Sequence, residues 1–171
     1  PGASACITAL TLSGKSTRRF CFEAFLPADK KERKIILDEI KRETRTIILY
    51  EAPPHLVKTL QELLDILGDR DVTLCRELTK KYEEIYSATL REAVIHYEEQ
   101  APKGEFVIVI SGKTFEEIRD EEREFFQKLS LEEHMIYYEE KGYGKKEAMK
   151  QVARDLGISK RDVYQKLLHD H

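Results

Sequence analysis

The segment EFVIVISG, residues 105–112, constrains the fold more than any other part of the sequence. Its run of β-branched residues ends in glycine and is typical of a strand buried on both faces of a sheet. Such a strand needs helices packed on both sides, and helical and extended patterns alternate along the chain before it. The first 112 residues therefore predict an α/β fold: a three-layer domain with a mixed sheet of about five strands.

Local patterns give the order of the predicted elements. Strands are predicted at residues 20–26, 46–50, 72–78, 84–88 and 105–112. Helices are predicted at residues 4–12, 29–44, 53–67 and 90–100. Asp29 can accept hydrogen bonds from the first exposed amides of the second helix, and Pro53 and Pro54 suit the first turn of the third.

The pattern beyond Gly112 is helical only, which predicts three or four short helices over residues 113–171 as a small all-helical C-terminal appendage. Within residues 144–168, Ala153, Gly157 and Val163 fall at the small, turn and buried positions of a helix-turn-helix. Ser159 is expected to cap its second helix. A plain helical hairpin is the alternative reading of the same residues.

Charge and cysteine content limit the classes of protein that fit. The net charge is −3 and the three cysteines lack CxxC spacing, which favours reduced thiols and a cytoplasmic protein. No apolar run is long enough for a membrane helix, and no histidine has a second ligand at metal-binding spacing, so neither a membrane nor a metal is predicted. Cations exceed acids by ten to six in residues 1–50 and by eight to four in residues 141–171. Basic ends therefore flank an acidic middle, and any evidence for a nucleic-acid partner must be local.

Four segments carry a resemblance to a known family: PGASACITALTLSG at 1–14, FCFEAFLP at 20–27, RELTKKYEEIYSATL at 76–90 and KGEFVIVISG at 103–112. In order and spacing they resemble the C-terminal domain of bacterial rRNA ribose methyltransferases of the tetrapyrrole methylase superfamily. RELTK is the most specific element. The sequence departs from the family at YEAPPHL, where Pro54 and His55 replace the usual His and Arg.

The resemblance implies an S-adenosylmethionine (SAM)-dependent methyltransferase that modifies the 2'-hydroxyl of a cytidine ribose in the 16S rRNA of the small ribosomal subunit. It also implies a homodimer, and an N-terminal SAM-binding domain ahead of Pro1, without which these residues would be inactive. Two alternatives stay open. One is a methylase of tetrapyrrole (corrin or porphyrin) substrates, and the other is a non-catalytic nucleic-acid-binding module.

The resemblance also indicates a SAM half-site at the ends of the strands. The strand ends near residues 50, 78 and 112 are expected to converge on one pocket, and Gly112 would let a ligand approach the backbone closely. The predicted cofactor-binding residues are Ser4, Tyr50, Glu51, Leu78, Thr79, Ala88, Ser111 and Gly112. The catalytic base is not identified. Glu51 and Glu77 are candidates, and the alternative is that each carboxylate pairs with an arginine or a helix amide.

Basic residues are candidates for RNA contact because such contacts are made mostly to phosphate. The predicted RNA-binding residues are Arg18, Arg19, Lys30, Lys31, Lys34, Lys80, Lys160 and Arg161. Those at residues 15–19 and on the second helix are expected to form one cluster. The alternative is an ordinary solvated face.

Overall fold

The computed structural model describes residues 4–169 and divides the chain into two compact units, Pro1–Thr114 and Phe115–His171. We call them the α/β unit and the helical unit. Their boundary lies two residues beyond the one predicted from the sequence, because Lys113 and Thr114 stay with the first unit. The Lys113 N–H donates to Glu43 O (2.7 Å), which ties it to that unit.

The α/β unit contains a mixed sheet of five strands, as predicted. The strands are β1 (Phe20–Phe25), β2 (Thr46–Glu51), β3 (Asp71–Arg76), β4 (Glu84–Thr89) and β5 (Phe106–Ile110). Their order across the sheet is β1-β2-β5-β3-β4. Only β1 and β2 are parallel, and every other neighbouring pair is antiparallel. β5 is the buried central strand that its apolar run predicts.

Helices cover both faces of the sheet, which makes the unit three-layered. The helices are α1 (Ala5–Leu12), α2 (Lys30–Ile40), α3 (Pro53–Leu67) and α4 (Leu90–Glu99). Side chains of β2 alternate between the faces: Ile47 and Leu49 pack with α2, α3 and α4, whereas Ile48 and Tyr50 pack with α1. We call these the three-helix face and the α1 face.

The strand pairing defines two opposite edges of the sheet. At one edge, Glu51 pairs with Phe106, which pairs with Arg76. We call it the Tyr50 edge, and it includes the C-terminal ends of β1, β2 and β3. At the other edge, Ile47 and Val72 both pair with Ile110. We call this the Gly112 edge.

Helix α2 ends at Ile40, four residues before its predicted end. The chain leaves the helix because Glu43 binds Arg45 instead of continuing the helical pattern. Its Oε1 accepts from the Arg45 backbone N–H (2.8 Å) and Nε (2.9 Å). The turn at residues 41–45 then leads into β2 at the Gly112 edge.

Up to residue 169, the helical unit has four helices: α5 (Phe115–Lys128), α6 (Leu131–Glu140), α7 (Lys145–Leu156) and α8 (Lys160–His169). Helices α7 and α8 are joined by a short turn in which Gly157 adopts the left-handed conformation (φ 66°), and Ala153 and Val163 are buried. Ser159 caps α8 through its bond from the Asp162 N–H (3.1 Å). These features are common to a helix-turn-helix and to a plain helical hairpin, so the helix-turn-helix stays a prediction.

Candidate functional site

The N-terminus of α1 lies at the Tyr50 edge. The backbone N–H of Cys6, in the first turn, donates to Tyr50 Oη (3.1 Å). Ser4 precedes the helix as its N-cap, is exposed, and makes no side-chain capping bond. Because the first amides of a helix lack intrahelical partners and carry partial positive charge, this terminus favours an anionic group.

Leu78 and Thr79 lie at the same edge, in the loop between β3 and β4. Leu78 is buried in the cluster that contains Cys6 and against which Tyr50 packs, so it lies on the α1 face. The Thr79 N–H donates to Glu83 Oε2 (2.6 Å), which holds the loop in a left-handed turn with Thr79 at φ 65°. The structure thus brings together Ser4, Tyr50, Leu78 and Thr79 of the predicted cofactor-binding residues.

Glu77 closes a turn at this edge. Its Oε1 accepts from the Glu105 backbone N–H (2.9 Å) and from Lys80 Nζ (3.2 Å), and Lys80 also reaches Glu105 Oε2 (3.1 Å). The Glu105 amide, followed by Lys80, lowers the pKa of Glu77. The two carboxylates raise the pKa of Lys80. The contacts of Glu77 are those of a structural partner, and a carboxylate held ionised in this way is a weak proton acceptor.

Gly104 accounts for the close fit of this turn. It has a φ of 79°, and a Cβ at this position would lie 2.7 Å from Glu77 Oε1 and 2.8 Å from Cδ. Only glycine allows both the backbone conformation and the approach of the carboxylate. The Pro-Lys-Gly turn in the sequence signals a loop, but nothing in it identifies Glu77 as its partner.

Glu51 projects to the face opposite Tyr50. It is 6% exposed and accepts from Thr59 Oγ1 (2.6 Å) and from the Ala52 N–H (2.8 Å). Thr59 Oγ1 in turn accepts from Nη2 of Arg33 (2.8 Å), and Arg33 Nε pairs with Glu62 (2.7 Å). Although consecutive in sequence, Tyr50 and Glu51 therefore cannot line one pocket on the α1 face.

Glu51 instead lines a groove of about 550 Å³ between α2 and α3. Its rim is basic, with Lys30, Lys34, His55 and Lys58 around it. His55, which stands at the position that departs from the family pattern, thus faces this groove and not the α1 face.

The strand ends near residues 50, 78 and 112 were predicted to converge on one pocket. This prediction is wrong for the end near residue 112. Because β5 runs antiparallel to both β2 and β3, its C-terminal end lies beside Ile47 and Val72. Ser111 and Gly112 are therefore at the Gly112 edge, where the Ser111 N–H donates to Asp71 O (2.9 Å). Ala88, which pairs with Val72, is also there. The length of β5 separates these residues from Tyr50.

The expectation that Gly112 admits a ligand is also corrected. A Cβ at this position would overlap the carbonyl group of Thr44 and lie 2.5 Å from Arg45 O. The backbone that approaches Gly112 is thus the protein's own turn at residues 41–45. Ala88 lines a separate cavity of about 380 Å³ with Ser13 and Lys15. Burial lowers the pKa of Lys15.

The predicted basic cluster is divided between the two edges. Lys30, Lys31 and Lys34 are exposed at the start of α2, which follows the end of β1 at the Tyr50 edge. Arg18 and Arg19 precede β1 at the Gly112 edge, because the parallel pairing places Phe20 opposite Thr46. Parallel β1 and β2 thus separate the two groups by the length of a strand.

In the helical unit, Lys160 and Arg161 occupy the first turn of α8. Arg161 is exposed and Lys160 is half-buried.

Two aromatic side chains at the Tyr50 edge were not among the predicted site residues. The rings of Phe22 and Phe25 both lie edge-on against Tyr50, with centroid distances of 4.9 and 5.6 Å. In a regular strand, residues three apart face opposite sides. The alternation expected of FCFEAF therefore does not predict that Phe22 and Phe25 share a face. Only the register shift in the pairing of β1 with β2 shows that they do.

Within residues 4–169, no cluster of three or more histidine, cysteine or acidic side chains is arranged to hold a metal ion. None of the helices in that range combines the length and apolar character needed to cross a membrane.

Residues 1–94 match the family described as Tetrapyrrole (Corrin/Porphyrin) Methylases. This match covers more than half of the chain. The chain belongs to the tetrapyrrole methylase family. The match contains three of the four sequence segments and confirms the resemblance to this family. The matched residues include α1, Tyr50 and the loop that carries Leu78 and Thr79.

Curated relatives include "Ribosomal RNA small subunit methyltransferase I" of Halalkalibacterium halodurans, 46% identical over 164 residues, or 96% of this chain and 56% of that protein. The protein of the same name from Bacillus subtilis is 44% identical over 164 residues, with the same two coverages. The chain thus spans about half the length of the curated relatives it matches. A solved cobalt precorrin-4 methyltransferase is similar over 65% of this chain and 50% of its own, with 17% identity and a TM-score of 0.47.

Proposed function

We propose that this chain is the C-terminal part of a SAM-dependent methyltransferase that methylates the 2'-hydroxyl of a cytidine ribose in 16S rRNA. The observation that carries the proposal is the likeness to two proteins named ribosomal RNA small subunit methyltransferase I across 96% of the chain. That likeness extends beyond the family match at residues 1–94 and includes the helical unit. An rRNA substrate implies the cytoplasm, and the family resemblance implies a homodimer.

The α1 face at the Tyr50 edge is the proposed donor half-site. Its residues fit SAM, because the α1 N-terminus favours a carboxylate and the half-buried Tyr50 ring offers apolar surface. SAM supplies an electrophilic methyl group on a sulfonium sulfur. Ser4, Tyr50, Leu78 and Thr79 would bind and orient the donor on this face. Glu51, Ala88, Ser111 and Gly112 are not part of the half-site, because they lie on the other face or at the other edge.

Positioning is the main contribution that this chain can make to the reaction. Transfer of a methyl group from a sulfonium requires the acceptor oxygen in line with the departing sulfur, so fixing the two reactants supplies a large part of the rate. Glu51 is turned to the three-helix face and Glu77 is bound to Glu105 and Lys80. Neither carboxylate is proposed as the group that takes the hydroxyl proton.

The basic residues divide the proposed RNA contacts between two places. Lys30, Lys31 and Lys34 would contact phosphates at the Tyr50 edge, from the three-helix face of the sheet. Lys160 and Arg161 would contact phosphates from the first turn of α8. Each phosphate contact releases counterions, so affinity for rRNA should fall steeply as salt is raised.

The test uses the complete natural protein with labelled SAM and small ribosomal subunits that lack the modification. The expected product is a 2'-O-methylated cytidine in 16S rRNA, identified by mass spectrometry of nuclease digests. Tyr50→Ala should weaken SAM binding by about tenfold or more, equivalent to about 1.4 kcal/mol, because it removes the ring and the hydroxyl that binds the Cys6 amide. Ile95→Ala, at an exposed site on α4, is the matched control and should bind SAM normally.

Methyl transfer to a tetrapyrrole acceptor but not to ribosomal subunits would contradict the proposed substrate. Unchanged SAM affinity in Tyr50→Ala would contradict the proposed half-site.

A further inference from the structure

An irregularity in β1 places two exposed aromatic rings on the α1 face. Phe22 pairs with Ile48, Ala24 with Leu49 and Phe25 with Tyr50, so β1 contains one residue more than β2 over this stretch. Phe22 and Phe25 are three residues apart but pair with residues only two apart. Both side chains therefore lie on the face of Ile48 and Tyr50, where a regular strand would have placed them on opposite faces.

The bulge costs folding free energy. Ala24 has a φ of 53°, in the left-handed region that side chains other than glycine rarely adopt. Strain of this kind persists only where the surrounding structure enforces it, and it is concentrated at functional sites.

Core packing does not offset the free-energy cost of the bulge, because both phenylalanine rings remain largely in contact with solvent. Phe22 is 44% exposed and Phe25 is 60% exposed. Their planes stand at 68° and 65° to the Tyr50 ring. We call these three residues, Phe22, Phe25 and Tyr50, the aromatic ledge. It adjoins the proposed donor half-site, because Tyr50 belongs to both.

Cations lie at the same edge, on α2, which packs on the three-helix face, and Lys30 and Lys34 also line the groove that contains Glu51. Lys30, Lys31 and Lys34 begin five residues after Phe25, on the first turns of α2, and are all exposed. Within residues 4–169 none of the three forms an ion pair with a carboxylate. Surfaces that dock other proteins are depleted in lysine, whereas surfaces that bind single-stranded nucleic acid combine aromatic rings with cations.

We propose that the aromatic ledge stacks an unpaired nucleobase of the RNA substrate, and that the same RNA strand continues around the Tyr50 edge to phosphate contacts with Lys30, Lys31 and Lys34. This inference rests on the proposed function, because it takes rRNA as the acceptor. It adds a determinant of substrate binding: a single-stranded segment presented with one base unstacked from its neighbours. Phe25, the most exposed of the three rings, would provide the stacking surface.

The experiment measures binding of the complete natural protein to a fluorescein-labelled, unstructured RNA octamer that contains cytidine. Phe25→Ala should weaken binding by about 5- to 100-fold, the loss typical for removal of one stacked base. Phe25→Leu should lose as much, because leucine keeps apolar bulk but has no aromatic face, and Phe25→Trp should bind as well as the wild type. Ile95→Ala is the matched control, since it truncates an apolar side chain of similar exposure (51%) on α4 and should bind normally.

Three results would contradict the proposal that the aromatic ledge stacks a nucleobase. Wild-type affinity in Phe25→Leu would mean that only apolar contact matters. Unchanged RNA affinity in Phe25→Ala together with weakened SAM binding would assign Phe25 to the donor site. Unchanged RNA affinity together with a change of oligomeric state, measured by light scattering, would make the surface an interface between two copies of the chain.

The base-stacking proposal and the proposed function can fail separately, and the two failures give different results. A wild-type protein that methylates 16S rRNA, with Phe25→Ala equally active and equally tight on the octamer, refutes the ledge alone. A wild-type protein that binds the octamer through Phe25 but transfers no methyl group to ribosomal subunits refutes the proposed function and supports the ledge as an RNA-binding surface.

Discussion

Replacing Gly112 by alanine should destabilise the α/β unit because the new methyl group would meet backbone and not a movable side chain. The Cβ would overlap the Thr44 carbonyl and lie 2.5 Å from Arg45 O, whereas such pairs normally stay about 3.5 Å apart. The turn at residues 41–45 must therefore move by about 1 Å, which strains the hydrogen bond from the Lys113 N–H to Glu43 O (2.7 Å). Overpacking typically costs about 1–3 kcal/mol and a net hydrogen bond about 1 kcal/mol, so the expected loss is about 2–4 kcal/mol.

Urea unfolding followed by circular dichroism measures this loss of free energy directly. Gly144→Ala is the matched control, since Gly144 has a negative φ and no atom lies within 4 Å of its added Cβ. Because Gly144 is the N-cap of α7, where alanine is less favourable than glycine, this control should lose about 1 kcal/mol or less, well below the loss in Gly112→Ala. A Gly112→Ala protein with wild-type stability and weakened SAM binding would refute the packing explanation and restore the earlier expectation that Gly112 faces a ligand.

Two further predictions concern polar contacts. Hydrogen bonds from Arg45 lower the pKa of Glu43 to about 2 from the usual 4.5, so the stabilisation it provides is complete above pH 4.5 and is lost as the pH falls towards 2. In Glu43→Gln, the free energy of unfolding measured with urea should fall less steeply between pH 4.5 and pH 2 than in the wild type. The same dependence on pH in the two proteins would contradict the stabilising role of ionised Glu43. Asp155→Ala should cost the helical unit about 2–4 kcal/mol in thermal unfolding, because Asp155 Oδ2 accepts from Tyr138 Oη (2.6 Å) and contacts Nε2 of the buried His134 (3.0 Å). A loss no larger than that of exposed Glu147→Ala would contradict it.

The sequence predicts the elements of this fold well because each has a local cause. Asp29 caps α2 through bonds from the Lys31 and Glu32 amides, and Pro53 begins α3 where its missing N–H is not needed. The apolar run of β5 requires burial on both faces. These signals lie within a few residues of the element they define, so one sequence is enough to read them.

The arrangement of the strands has no such local cause. β5 follows β4 in sequence but inserts between β2 and β3, antiparallel to both. The family resemblance identified the strand ends but not their directions, and reversing the direction of β5 moves Ser111 and Gly112 to the opposite edge. A site assembled from strand ends can be predicted only when the direction of every strand is known.

The orientation of side chains along β1 and β2 limits what the sequence says about the candidate site. Strict alternation separates Tyr50 from Glu51, so neighbouring predicted residues belong to different surfaces. The extra residue in β1 has the reverse effect, because it unites Phe22 and Phe25, which the same alternation would have separated. The bulge depends on Ala24 adopting a positive φ, a conformation that alanine itself does not indicate. The aromatic ledge is therefore the surface that the structure adds to the predicted site. It arises where β1 breaks the alternation of side chains that prediction from sequence assumes.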